Sequence, residues 1–155
     1  MTKNLPNWSG VFPAATTQFN ARHEVDLDAT QTIQAALIND GVDGLILLGT
    51  VGENNSLEPS EKLDILRAAR ETVTGGHPIL SGVSEMTTSR AIQFAKHAED
   101  IGVDGLMVLP AMVYVPTEEE LTAHFKAVAS ATSLPIMLYN NPPAYRTSIG
   151  LDVLK

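Results

Sequence analysis

A repeat of five residues constrains this chain more than any other feature. Gly41-Val42-Asp43-Gly44-Leu45 returns as Gly102-Val103-Asp104-Gly105-Leu106, 61 positions later, and each copy leads into an apolar run. A helix end feeding a strand twice at that spacing means a chain built from βα units, two to a period. Five apolar runs, at 11–17, 42–48, 78–83, 103–109 and 134–139, recur at intervals of roughly 30 residues. Each is almost continuously apolar, as a strand covered on both faces must be. Between them the apolar residues take helical spacing: Leu63, Leu66, Ala69 and Val73; Ala91, Phe94, Ala95, Ala98 and Ile101; Leu121, Phe125, Val128 and Ala129. Pro59 suits a first helical turn, and Thr117 with Glu120 forms a capping-box pattern. The repeat glycines suit left-handed helix ends, and Asp43 and Asp104 are expected to serve the turns that enter the strands. Alternation of this kind predicts an α/β fold with a parallel sheet, either doubly wound or part of a barrel. In both, sites form at the C-terminal strand ends.

Several function classes are excluded early. The chain has 18 acidic against 10 basic residues and a net charge of −8, with no basic stripe, so nucleic acid is not expected as a partner. Zero cysteines leave no disulfide, thiolate metal site or cysteine nucleophile. His23, His77, His97 and His124 lack ligand spacing, so no metal is expected. No apolar leader and no long apolar stretch is present, which predicts a cytoplasmic protein without a membrane partner. Lys62, Lys96 and Lys126 fall on predicted helices and are expected to face solvent. Glu118, Glu119 and Glu120 form a charge run favoured at a helix start.

Three loops at strand ends carry the chemistry. Gly49-Thr50-Val51-Gly52-Glu53-Asn54-Asn55-Ser56-Leu57 follows the second run, and its glycines let backbone amides turn toward a small anion such as a carboxylate. A tight turn with no ligand fits the same spacing. Tyr139-Asn140-Asn141-Pro142-Pro143-Ala144-Tyr145-Arg146-Thr147 follows the fifth run. A tyrosine there can donate or relay a proton into a barrel mouth, or simply cap the barrel. Pro110-Ala111-Met112-Val113-Tyr114-Val115-Pro116, after the fourth run, suits an interface, a lid or packing.

Taken together, the Gly49 to Glu53 loop, Leu57 before the Pro59 helix, the two Gly-Val-Asp-Gly-Leu strand entries and Tyr139-Asn140-Asn141-Pro142 resemble the dihydrodipicolinate synthase and N-acetylneuraminate lyase family. The resemblance runs over essentially the whole chain. It implies a (β/α)8 barrel, a homotetramer or homodimer when full length, and no cofactor. In such a barrel a lysine amine forms a Schiff base with pyruvate or another 2-oxo acid, and the iminium serves as an electron sink. Tyr139 then resembles the family's proton-shuttling tyrosine and Thr50 its hydroxyl relay partner. The amides of Thr50 and Val51 would hold the substrate carboxylate. Tyr114 is similar to the tyrosine that some members insert across a dimer interface.

The departures concern substrate. Many synthases carry a second hydroxyl where this chain has Val51. They place an arginine soon after the fifth-strand proline, whereas Arg146 comes about two residues later, after Pro143, Ala144 and Tyr145. Both shift the expectation from the lysine-pathway synthase toward a paralogue that cleaves, dehydrates or deaminates, a pyrroline-hydroxycarboxylate deaminase being the first to test. The resemblance also implies a Schiff-base lysine on strand six, one βα unit beyond Tyr139. Lys155 is too near Tyr139 for that role and reads as a helical surface residue. Residues 1–155 are therefore expected to form a partial (β/α)8 barrel, strands one to five and the start of helix five. Alone, such a polypeptide is expected to aggregate or stay partly molten and show no turnover. Two alternatives stand beside this: a complete flavodoxin-like domain binding a phosphorylated ligand at the Gly49 loop, and a non-catalytic homologue oligomerising through residues 112–115.

Overall fold

A computed structural model of the chain describes residue 6 and residues 8–110 and 114–154. Its centre is a parallel sheet of four strands: β1 (Leu45–Leu47), β2 (Ile79–Val83), β3 (Gly105–Val108) and β4 (Ile136–Leu138). They lie side by side in chain order, with Leu45 opposite Ile79, Leu80 opposite Gly105 and Leu106 opposite Ile136. Four helices alternate with them: α1 (Leu27–Asn39), α2 (Pro59–Thr72), α3 (Thr88–Ile101) and α4 (Glu118–Ala131). Each helix packs against the next along the same wall. A doubly wound sheet reverses its strand order at a switch point, and this order runs through without one. The sheet is singly wound, as the wall of a (β/α)8 barrel is.

Every residue of β2 and β3 is buried, which is why those runs read as continuously apolar, while β4 is half-buried throughout. The helices present the faces their spacing predicts, except that Ala129, in the last turn of α4, is exposed. Ala91, Phe94, Ala95 and Ala98 of α3 are buried, as are Leu121, Phe125 and Val128 of α4. A fully buried side chain such as Leu66 or Leu121 contributes about 1.5–3 kcal/mol. Pro59 opens α2, and at α4 the Glu120 carboxylate accepts from Thr117 N while Thr117 Oγ1 accepts from Glu120 N. No helix among the described residues is long and apolar enough to cross a membrane.

The first apolar run does not become a strand. It lies parallel to β1 and makes one bridge, Ala14 with Ile46, through Ala15 N to Ile46 O and Ile46 N to Pro13 O. The next bridge toward the N-terminus would need an amide hydrogen from residue 13, and proline has none. On the other side Leu48 turns out of the ladder with φ +54°.

The five-residue repeat has a structural purpose. Gly41 and Gly102 take left-handed φ values of +90° and +88°, as helix ends require. Each following aspartate then grips a residue at the entry of the neighbouring apolar run with backbone and side chain. Asp104 N donates to Ile79 O and its Oδ2 accepts from Ile79 N at 2.9 Å. Asp43 does the same with Val11, its Oδ2 accepting at 2.6 Å. A Cβ on Gly105 would stand 2.2 Å from the Trp8 ring, so glycine there admits the indole against the base of the sheet.

Past β4 the chain forms a single-turn helix, α5 (Pro142–Tyr145), and a 3-10 turn at Leu151–Leu154 whose Val153 is buried near α4. Lys155, expected at the surface, lies outside the described residues.

Candidate active site

All four strands point the same way, so the loops that follow them share one rim. The loop after β1 rises from Leu48, crosses β2 and descends through a 3-10 turn at Asn54–Ser56. Crossing is possible because β2 has Gly82 beneath it: a Cβ there would meet Leu48 O at 2.2 Å. A left-handed leucine costs about 1–2 kcal/mol and needs support. Asn54, 1% exposed, provides it, its Nδ2 donating to Leu48 O at 2.9 Å and to Gly82 O at 3.4 Å. Thr17 Oγ1 donates to Gly52 O at 2.7 Å and pins the other limb.

Lys62 corrects an expectation. Lys96 and Lys126 are exposed as predicted, but Lys62 is buried, its ammonium donating to Asn54 Oδ1 at 2.9 Å and Glu85 Oε1 at 2.6 Å. It also stands 5.9 Å from the centre of the Phe94 ring. The signal was available in the spacing: Lys62 is three, four and seven residues before Ile65, Leu66 and Ala69, on the buried stripe of α2.

Thr50 is exposed at the top of the loop, and its Oγ1 is 2.6 Å from the hydroxyl of Tyr145. Val51 beside it is 55% exposed. Among the described residues no protein acceptor takes the amide hydrogens of Thr50 or Val51. Tyr139 continues β4 by donating its amide to Val108 O at 2.9 Å. Its phenol oxygen accepts from Asn141 Nδ2 at 3.2 Å. The rings of Tyr139 and Tyr145 meet edge to face, centroids 5.8 Å apart and planes at 67°.

The structure thus gathers Thr50, Tyr139 and Tyr145 at one rim, and the hydroxyl partner of Thr50 is Tyr145. Tyr145 was not singled out from the sequence. It reaches the rim because Asn141 Oδ1 caps α5 by accepting from Ala144 N, Pro142 opens the turn, and Arg146 closes it at φ +54° with its amide on Pro142 O at 2.8 Å. Arg146 itself is exposed at the end of that turn. Tyr114 is 57% exposed at the head of α4, where a hydrogen bond to Glu120 raises its phenol pKa above the ordinary 10.0. The rest of the apolar loop, residues 111–113, lies outside the described residues, so only Tyr114 and the exposed Val115 of the expected interface are seen.

Chemically, the rim offers hydroxyl groups and two amides without an acceptor among the described residues. Asn141 Nδ2 can only donate, so the Tyr139 proton is directed elsewhere. Among the described residues no group of three or more metal-ligating side chains is placed to hold an ion.

Residues 7–155 match the family described as the dihydrodipicolinate synthetase family. The 4-hydroxy-tetrahydrodipicolinate synthase of Moorella thermoacetica is 37% identical over 145 residues, covering 94% of this chain and 49% of that protein. A prophage protein of the dihydrodipicolinic acid synthase family from E. coli K12, solved in complex with pyruvate, superposes with a TM-score of 0.90 at 31% identity, covering 97% of this chain and 50% of that one. The synthase from Acinetobacter baumannii, also solved with pyruvate, gives 0.88 at 28% identity over 93% of this chain and 50% of that one. The chain spans about half the length of the curated relatives it matches.

Proposed function

The chain belongs to the dihydrodipicolinate synthetase family, and from that premise we propose that it forms the first half of a Schiff-base lyase acting on pyruvate or another 2-oxo acid. The observation that carries this is the convergence on one rim of a parallel sheet of Tyr139, the Thr50 hydroxyl, and the Thr50 and Val51 amides, which have no acceptor among the described residues. Two amides on a tight turn fit a carboxylate. A phenol beside them fits the proton transfers of imine chemistry.

In this reading the amine comes from a lysine beyond the chain. It adds to C2 of the bound 2-oxo acid to give a carbinolamine. Tyr139 gives its proton to the former carbonyl oxygen, which leaves as water, and the iminium then withdraws electrons from a bond at C3. Lys62 is unsuited to the attack, because Asn54 and Glu85 hold its ammonium below the rim. Val51 offers only its amide, and Arg146 stands exposed at the close of α5, available to a second carboxylate. These two positions favour cleavage, dehydration or deamination over lysine-pathway synthesis, with a pyrroline-hydroxycarboxylate as the first substrate to try. A homodimer or homotetramer is the assembly we propose, with Tyr114 and Val115 exposed toward it.

Borohydride reduction of the full-length protein with pyruvate tests the reading. One lysine should gain the mass of a reduced pyruvate adduct. Failure of pyruvate and a panel of other 2-oxo acids to label any lysine would refute it.

A further inference from the structure

We propose that Tyr145 is a positioning residue for Thr50, supplying from within the same chain the hydroxyl that directs the Thr50 proton at the rim. The inference rests on the Schiff-base reading above and deepens it. A threonine hydroxyl on an exposed turn rotates freely and bonds to whatever water is near. A phenol 2.6 Å away removes that freedom. Either oxygen can be the donor, and the pair holds two protons, one of them in the bond between the two groups. The other proton remains for a third group, so the pair can donate to a bound 2-oxo acid and take the proton back with no net change.

The two other tyrosines are committed elsewhere. Tyr139 takes its hydrogen bond from Asn141, and its ring holds Tyr145 at the edge without competing for Thr50. Tyr114 stands at the head of α4, where Glu120 holds its phenol pKa above the ordinary value. Placement of Tyr145 is built into the chain: an asparagine cap, a proline at the first helical position, one turn, and a left-handed Arg146 that stops it.

The test uses the full-length protein with pyruvate, quenched by borohydride at increasing pyruvate to give a maximal trapping rate and a half-saturating concentration. Tyr145→Phe should lower the maximal rate roughly 100-fold and leave half-saturation within about twofold. Thr50→Val should slow trapping similarly, and the double variant should be no slower than either single change, since the two hydroxyls act as one unit. Trapping by Tyr145→Phe at the parent rate, or losses that multiply in the double variant, would overturn the inference and leave the lyase reading standing. No adduct in the parent protein would remove both. A crystal structure of the full-length protein adds a measurement independent of how the variants fold: Tyr145 beyond hydrogen-bond reach of Thr50 overturns the inference.

Discussion

Lys62 Nζ lies 2.6 Å from Glu85 Oε1, with the two side chains only 6% and 10% exposed. The same ammonium holds Asn54, and Asn54 holds the carbonyls of Leu48 and Gly82, so one buried ion pair supports the loop that carries Thr50. Removing one partner of such a pair leaves the other charge buried. Lys62→Met should cost about 3–5 kcal/mol in denaturant unfolding of the full-length protein. Replacing both charges, as in Lys62→Met with Glu85→Leu, should recover much of that loss. A single variant as stable as the parent would contradict this account of the loop.

Asp104 offers a comparison between a backbone grip and a surface ion pair. Its Oδ2 accepts from Ile79 N at 2.9 Å and from Arg70 Nη1 at 3.0 Å. Ile79 is fully buried, whereas the Arg70 and Asp104 side chains are 39% and 42% exposed. Asp104→Ala should therefore cost roughly 1–3 kcal/mol. Arg70→Ala should cost at most about 1 kcal/mol. Equal losses in thermal unfolding would show that the ion pair, and not the grip on β2, carries the repeat's aspartate.

Gly105→Ala places a methyl group where the Trp8 ring now sits, 2.2 Å away. The indole must leave, and its emission should move to longer wavelength, read on residues 1–155, where Trp8 is the sole tryptophan. Unchanged emission would mean the base of the sheet has room that the close approach denies.

His124 is buried in α4, with Nδ1 3.0 Å from Thr88 Oγ1 and its ring against Phe125. Burial lowers its pKa below the ordinary 6.5. The unfolded chain then binds the proton more readily than the folded one. Stability from this group is complete above about pH 7 and falls as pH drops below its unfolded value, by at most about 1.4 kcal/mol per pH unit. His124→Gln should flatten that part of the stability profile in urea titrations from pH 5 to 7.5. An unchanged slope would assign the pH dependence to other groups.

What the residues disclosed in advance was whatever depends on period. Near-continuous runs located β1 to β4, and helical spacing located the inner faces of α2, α3 and α4, because burial on both faces or along one stripe writes itself into the sequence. The first run kept the composition of a strand but not the donors, since Pro13 removes one and Leu48 turns the ladder away. Lys62 sits on an apolar stripe but its charge argues for solvent, and its partners Asn54 and Glu85 come from other elements that no local pattern reveals. Tyr145 was hidden for a related reason. A single helical turn is too short to show a period, and only its cap and its left-handed end bring the phenol to Thr50.

Crystals of the full-length protein soaked with pyruvate are the decisive measurement of whether the Thr50 loop and Tyr139 serve a Schiff-base lysine. The pyruvate carboxylate should lie within about 3.2 Å of the Thr50 and Val51 amides, with C2 joined to a lysine from the second half and the Tyr139 hydroxyl within reach of that carbon's departing oxygen. Pyruvate bound without a covalent link, or with its carboxylate away from the Thr50 loop, would contradict it.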